Sequence, residues 1–266
     1  MQVMCLNGWG GKEHAALIPF LTNAAPDVLC LQDVVHTKNA PKDWLEYRDG
    51  RHILPQRARF FDDVRRALPN HIATFCPAAQ GFLWDGDTAV PSQWGLATFA
   101  LRSLTMVGQI QGFVHKQFGS DGYGDHPRSR TAHGIRLWDF KRDQGMTITH
   151  MHGLCDPMGK GDSQDRLVQA KRFAGMIGAV SEPGDAVIAC GDFNVLPGRQ
   201  TFDILGGMGL KDLVTGRGHD GTRNALYGKS EKFADYFMVN DLLEDCAFDV
   251  IRDPLVSDHC PLVLTL

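Results

Sequence analysis

The chain lacks a dominant charge: lysine and arginine number 27 against 31 acidic residues, a formal net charge of −4 over 266 residues. This balance excludes a global field that gathers polyanions, so any grip on phosphate has to be local. Long hydrophobic runs are missing too, since none approaches the roughly 18 apolar residues that a membrane helix requires. The opening segment Met1-Gln2-Val3-Met4-Cys5-Leu6-Asn7 has neither the basic stretch nor the apolar core of a secretory signal. A soluble, cytoplasmic protein without a membrane span is the expectation. Cysteine is present but odd in number, seven in all, and Cys5, Cys30, Cys190 and Cys260 sit in apolar runs where a thiol behaves as a small hydrophobe, so no disulfide framework is expected. No Pro/Ser-rich linker, charge block, internal repeat or low-complexity tract divides the chain, and residues 1–266 read as one domain, expected to be a monomer.

What is present is an ordinary globular composition, 43% hydrophobic and 22% charged, enough to bury a two-layer core. Short apolar runs bounded by turn residues recur at 2–6, 27–33, 71–75, 94–101, 131–138, 146–152, 185–190, 233–239 and 247–251, and read as strands. Helices are fewer: about 12–23, about 57–68 ending at Pro69, and about 163–180, where Leu167, Ala170, Ala174 and Ile177 share a face and Asp162 is placed to cap the first turn. Many neighbouring strands have no helix between them, so sheets must pack on each other with helices outside. The economical architecture is an α+β, four-layered α/β/β/α sandwich. Two glycine-rich polar loops, Gly119 to Arg130 and Thr215 to Asn224, carry arginines and suit the lining of a site.

The strand over 186–190 delivers Gly191-Asp192-Phe193-Asn194 at its C-terminal end, where the backbone is held and side chains are exposed. If strand geometry persists, Asp192 and Asn194 point to one side, a carboxylate to orient or deprotonate water and an amide to donate to the resulting oxyanion. A plain Asp/Asn turn satisfying backbone donors is an equal reading of these residues. Val256-Ser257-Asp258-His259-Cys260 interrupts a C-terminal apolar run. Strand alternation keeps Asp258 and His259 from acting as a simple dyad, and Asp235, interrupting Phe233–Val239, is the acid available to hold the imidazole, favour its charged form and aim its other nitrogen at phosphate. Asn7 and Asp33 end two early strands in an amide and an acid, a pair sufficient for magnesium, which takes oxygen ligands and keeps several waters. Taken alone, each is as well read as a turn residue. In His150-Met151-His152 the histidines alternate on one face; with Cys155 nearby they raise a zinc reading, although no second Cys/His cluster completes a tetrahedron. His152, nearer the loop, is the better candidate for a donor to a phosphoryl oxygen.

The order strand-Asn7, strand-Gln32-Asp33, strand-His152, helix, Gly191-Asp192-Phe193-Asn194, Ala234-Asp235-Tyr236, Ser257-Asp258-His259 resembles the endonuclease/exonuclease/phosphatase superfamily over essentially the whole chain. The resemblance implies metal-dependent in-line attack of water on a phosphate ester. It assigns Asn7, Asp33 and Asp258 to the site of Mg²⁺ or Mn²⁺, Asp192 and Asn194 to activation of water, His152 to the phosphate side, and Asp235 with His259 to an orienting dyad. Gln32-Asp33 departs from the Gln-Glu of relatives, shortening the carboxylate by one methylene. Arg166 and Gln169, in the helix after His152, are candidates for support, although helix-surface arginines are usually solvated.

Three functions compete on this reading. The first is hydrolysis of phosphodiesters or phosphomonoesters, with nucleic acid among the candidate substrates. The second is a binding module on the same fold with impaired catalysis, suggested by Asp33. The third is a zinc hydrolase built on His150, His152 and Cys155. For a nuclease, the basic candidates Arg57, Arg59, Arg65, Arg66, His126, Arg128 and Arg130 are scattered and read mostly as surface charges, with Arg128 and Arg130 in a loop where a substrate backbone could pass.

Overall fold

A computed structural model describes residues 1–50, 52–120 and 122–266; Asp121, inside the first glycine-rich loop, lies outside the described residues. In chain order the strands are β1 (Gln2–Asn7), β2 (Val28–His36), β3 (Trp44–Asp49), β4 (His52–Arg57), β5 (His71–Asp85), β6 (Thr88–Leu101) and β7 (Thr105–His115). They continue with β8 (Arg130–Asp139), β9 (Gln144–His152), β10 (Ala186–Asp192), β11 (Lys211–Asp212), β12 (Asp235–Val239), β13 (Ala247–Val250) and β14 (Leu262–Thr265). The helices are α1 (His14–Ala24), α2 (Phe60–Ala67), α3 (Gln164–Val180), α4 (Gln200–Gly206) and α5 (Leu213–Gly216). None of them is long and apolar enough to cross a membrane.

Two mixed sheets result, one in the order β13-β14-β1-β2-β6-β5-β3-β4 and the other β11-β12-β10-β9-β8-β7. Among the named strands of the described residues, β1–β2 and β9–β10 are the parallel pairs, each joined by one of the longer helices, since a parallel return needs a crossover. The central strands are buried on both faces and therefore read as continuous apolar runs rather than as alternation, as in Val28-Leu29-Cys30-Leu31. Helices α1 and α2 cover the outer face of the first sheet through Leu17, Leu21, Phe60 and Val64; α3 covers the second through Phe173 and Ile177. This is the four-layered sandwich expected.

Several local expectations are corrected. The second expected helix starts later, at Phe60, because residues 52–57 form β4, and its Asp62, Asp63, Arg65 and Arg66 place charge favourably against the helix dipole. Ser163, not Asp162, caps α3, its side chain accepting from the Arg166 amide at 3.3 Å, while Asp162 accepts from the Gln200 amide at 3.0 Å. The buried face of α3 runs through Arg166, Ala170, Phe173 and Ile177, with Leu167 and Ala174 only half-buried. Strands β3, β4, β7, β11 and β14 match none of the expected runs: the first three are half-exposed and lack an apolar run, and β11 is only two residues long.

Candidate active site

The two parallel or antiparallel pairings around β10 decide where chemistry can occur. In register, Asp192 of β10 lies opposite His152 of β9 on one side and opposite Asp235 of β12 on the other. Three candidate side chains thus stand level at the same end of three adjacent strands. Gly191 just before has φ 135°, and a Cβ there would fall 2.1 Å from the Met151 carbonyl oxygen; only glycine lets β10 approach β9 this closely. From the other sheet, β1 ends in Asn7, and β2 carries a bulge between Leu31 and Val34. Asp33 sits in this bulge at φ 56°, so the strand does not end at the acid as expected. It continues to His36, and the bulge turns Asp33 out of the ladder.

These residues enclose a cleft of about 600 Å³ lined by Asn7, Asp33, His152, Asp192, Asn194, Asp258 and His259. Asp235 lies behind it, with both carboxylate oxygens 2.8 Å from His259 Nδ1. His259 Nε2 is then 3.8 Å from Asp192 Oδ2 and 3.8 Å from Asp258 Oδ1. His152 Nε2 lies 3.6 Å from the same Asp192 oxygen. Asp192 is held on both oxygens: Asn7 Nδ2 donates to Oδ2 at 3.0 Å and the Asn194 amide to Oδ1 at 3.0 Å. Ser257 Oγ donates to the Asn7 carbonyl at 2.7 Å and accepts from the His259 amide at 3.2 Å, so the C-terminal triplet is tied to the end of β1.

Strand alternation does not hold at either motif. Asn194 has φ 53°, its backbone amide makes an Asx-type contact to Asp192, and its side chain donates to the Gly153 carbonyl at 3.4 Å; the turn reading is realised, and the residue also lines the cleft. Asp258 and His259 lie in a loop ahead of β14 and both line the cleft, but Asp258 faces Arg223, whose Nη1 donates to its Oδ2.

Burial sets the protonation. It pushes His259 down to about 3 and Asp235 up to about 6, partly offset for Asp235 by the Arg223 charge. The imidazolium expected from the sequence is therefore not favoured: a neutral ring donates Nδ1–H to an ionised Asp235 and leaves Nε2 bare. Burial likewise keeps His152 well below its ordinary value, helped by the Arg130, His259 and Arg223 charges. Asp33 is raised by burial, although the Trp94 indole N–H donates to its Oδ1.

The donor set suits a hard cation. The Asp258 and Asp192 charges add to the burial that raises Asp33, and Asp258 Oδ1 is buried without a hydrogen-bond partner, which marks an acceptor suited to a ligand. One atom each of Asp192, Asp235 and His259 also lie within 4.8 Å of one another. The donors lining the cleft are mainly oxygen and imidazole, with Cys155 the one sulfur among the described lining residues. The zinc reading fails on His150. Its Nδ1 is 2.9 Å from Gln32 Nε2 and its Nε2 is 2.8 Å from Thr98 Oγ1, so both ring nitrogens are engaged between the sheets. Cys155 is exposed.

A family model described as the endonuclease/exonuclease/phosphatase family matches residues 4–259. The chain belongs to that family. Among solved structures, a family protein from Leptotrichia buccalis is 15% identical with a TM-score of 0.67, over 100% of this chain and 99% of that one. A mannosyl-6-phosphatase from Bacteroides thetaiotaomicron is 16% identical with a TM-score of 0.64, over 100% and 98% of the chains. The human Nocturnin catalytic domain with bound sulfate anion is 15% identical with a TM-score of 0.64, over 99% and 92%. No match was found among curated proteins.

Within this family fold the cleft is supported by residues that the sequence offered only weakly or not at all. Arg166, expected to be solvated, is 3% exposed and donates to the carbonyls of Gly159, Gly161 and Asn194, while Gln169 Oε1 accepts from the Leu154 amide at 2.8 Å; α3 thus props both loops beside the cleft. Lys160 lines the cleft and donates to the Phe233 carbonyl at 2.7 Å, and nothing in its surroundings in sequence signalled this. Arg223 was visible only as one polar residue of a glycine-rich loop. Of the scattered basic candidates, Arg57, Arg65 and Arg66 are absorbed in ion pairs with Asp43, Asp62 and Asp63, whereas Arg130 is buried in the cleft wall.

Proposed function

We propose that the chain hydrolyses phosphate esters by in-line attack of water, with Mg²⁺, or Mn²⁺ in its place, held by Asn7, Asp33 and Asp258. The observation that carries this reading is the meeting of Asp192, His152, the Asp235–His259 pair and the unpartnered Asp258 Oδ1 at one cleft. When bound, the cation supplies Lewis-acid polarisation of a phosphoryl oxygen. Asp192 Oδ2 and His259 Nε2 are two acceptors 3.8 Å apart, a span in which one water can donate a proton to each. Asp192 is kept from rotating by its Asn7 and Asn194 partners, and His259 by Asp235, so the water is oriented and its proton has a base to receive it. His152, neutral through burial, donates to an oxygen of the phosphate or leaving group, and the Asn194 amide group faces the same cleft to hold developing charge.

Nocturnin with its bound sulfate and the mannosyl-6-phosphatase share the fold; their names support tetrahedral oxyanions as the ligand class and leave the substrate open. Seven free cysteines, Cys155 among them exposed, suit a reducing compartment, and we place the protein in the cytoplasm as a monomer. The test is a panel of p-nitrophenyl phosphate, bis-p-nitrophenyl phosphate, abasic duplex, single-stranded DNA and RNA, inositol phosphates and sphingomyelin, each with Mg²⁺, Mn²⁺ and chelator. Metal-dependent turnover that Asp192→Ala abolishes is expected. Absence of turnover across the whole panel by a folded protein would favour the binding-module reading.

A further inference from the structure

Arg130 opens β8 and is 4% exposed, yet its Nε and Nη1 are buried with no hydrogen-bond partner. The other arginines around the cleft are held: Arg128 donates to Tyr47, Asp49 and the Gly124 carbonyl, Arg166 to three carbonyls and Arg223 to Asp258, the last two leaving only Nε buried without a partner. Arg130 instead lies 4.7 Å over the Trp94 ring. The same indole packs 5.3 Å from the His152 ring and donates to Asp33, so Trp94 fixes the guanidinium beside the catalytic cleft. A buried cation with open donors is unfavourable until an anion meets it, and an oxyanion with several equivalent oxygens is the partner that matches those donors.

The wall next to Arg130 narrows the choice of anion. Arg128 straps the approach to β8 onto the β3–β4 hairpin, with its Nη2 2.9 Å from Asp49 Oδ2 and its Nη1 donating to the Tyr47 hydroxyl. His126 stands 3.5 Å from the same Asp49. Tyr47, Asp49, His126 and Arg128 thus form one wall of the cleft of about 600 Å³, and they border the space that the second arm of an internal diester would need. A terminal phosphate has no second arm, carries a further negative charge at neutral pH, and offers a third free oxygen to the open donors of Arg130.

We propose that Arg130 is a specificity residue that reads the terminal, dianionic phosphoryl group of phosphomonoesters, making these rather than internal phosphodiesters the substrate class; this rests on the phosphoesterase reading above. The test compares kcat/KM on p-nitrophenyl phosphate and bis-p-nitrophenyl phosphate for wild type, Arg130→Lys and Arg130→Met, together with calorimetric titration of inorganic phosphate in the presence of Mg²⁺. Wild type should prefer the monoester. Arg130→Met should lose about 100-fold or more on the monoester and less than about threefold on the diester, with Arg130→Lys intermediate because it keeps charge but not the planar donor set. Phosphate should bind at least about tenfold more weakly to Arg130→Met. Equal losses on both esters, a wild-type preference for the diester, or unchanged phosphate affinity overturns the assignment. If wild type turns over no substrate of the panel the phosphoesterase reading fails, and the phosphate titration still decides whether Arg130 holds the anion; turnover of the panel's diesters alone overturns the assignment. Should Arg130→Met not fold, as judged by its thermal melt, Arg130→Lys supplies the same comparisons.

Discussion

Replacing Asp235 by Asn separates the positioning of His259 from the stability of the fold. Asp235 accepts from His259 Nδ1 with both oxygens at 2.8 Å, and its backbone amide donates to Thr222 Oγ1 at 3.0 Å, a contact the substitution leaves alone. The volume is unchanged, but one oxygen becomes an NH₂ that cannot face Nδ1–H. Either the amide turns its oxygen inward or the imidazole moves its proton to Nε2, and the second course puts a donor where the attacking water needs an acceptor. Loss of a carboxylate that holds a catalytic imidazole in its tautomer lowers kcat by about 10²–10⁴-fold. Stability should change far less. One buried hydrogen bond to a charged group is worth about 1.5–3 kcal/mol, and burial already opposes the ionised acid, since Asp235 is pushed up to about 6. For a chain of this size the loss is roughly 3–10 °C in Tm. The assay is kcat on the best substrate of the panel alongside a thermal melt. A variant that keeps more than about a third of wild-type kcat would falsify the role given to the pair, and so would a kcat loss that merely tracks the unfolded fraction.

Other outcomes are expected from the same geometry. Chelation should abolish turnover, and Mg²⁺ at about ten times its Kd should raise stability by about 1.4 kcal/mol; Asp258→Asn should remove this thermal shift, and an Mg²⁺-independent melt of the wild type would count against the metal site. His133 is fully buried between Thr98 and Gln109, and burial pushes it down to about 4 from 6.5. The folded state therefore binds fewer protons than the unfolded one between these values, so stability is constant above about pH 6.5 and falls by up to about 3 kcal/mol as pH drops to about 4; His150, shifted the same way by burial, adds to the slope. Equal urea midpoints at pH 7.5 and 4.5 would refute this. Gly191→Ala should destabilise by about 3 kcal/mol or more, because its Cβ meets a backbone oxygen at 2.1 Å in a positive-φ conformation; a wild-type melting temperature would show that β9 and β10 can separate without penalty.

The sandwich was legible because its central strands are buried on both faces and so announce themselves as apolar runs. Strands β3 and β4 escaped because, at and next to the sheet edge, they are half-exposed and carry polar residues, and their hairpin matters here since it forms the strap's anchor. The stations Asn7, Asp33, His152, Asp192, Asn194, Asp258 and His259 could be named from strand ends and turn residues. Their mutual geometry could not: it depends on the β9–β10–β12 register, on a bulge in β2 and on a positive φ at Asn194, none of which has a signature in the residues alone. Arg130 shows the limit most clearly. In the sequence it is one arginine in a polar loop, and only the indole of Trp94 on a different sheet distinguishes it from Arg128 two residues earlier.

The link from Ser257 to the Asn7 carbonyl joins residues 250 positions apart, and the cleft draws on both sheets. No early folding unit confined to one sheet can contain more than part of the catalytic set. During refolding from denaturant, recovery of turnover should therefore trail the recovery of helical and sheet signals and coincide with the docking of one sheet on the other, so that the enzyme's own activity becomes a clock for the last step of its assembly.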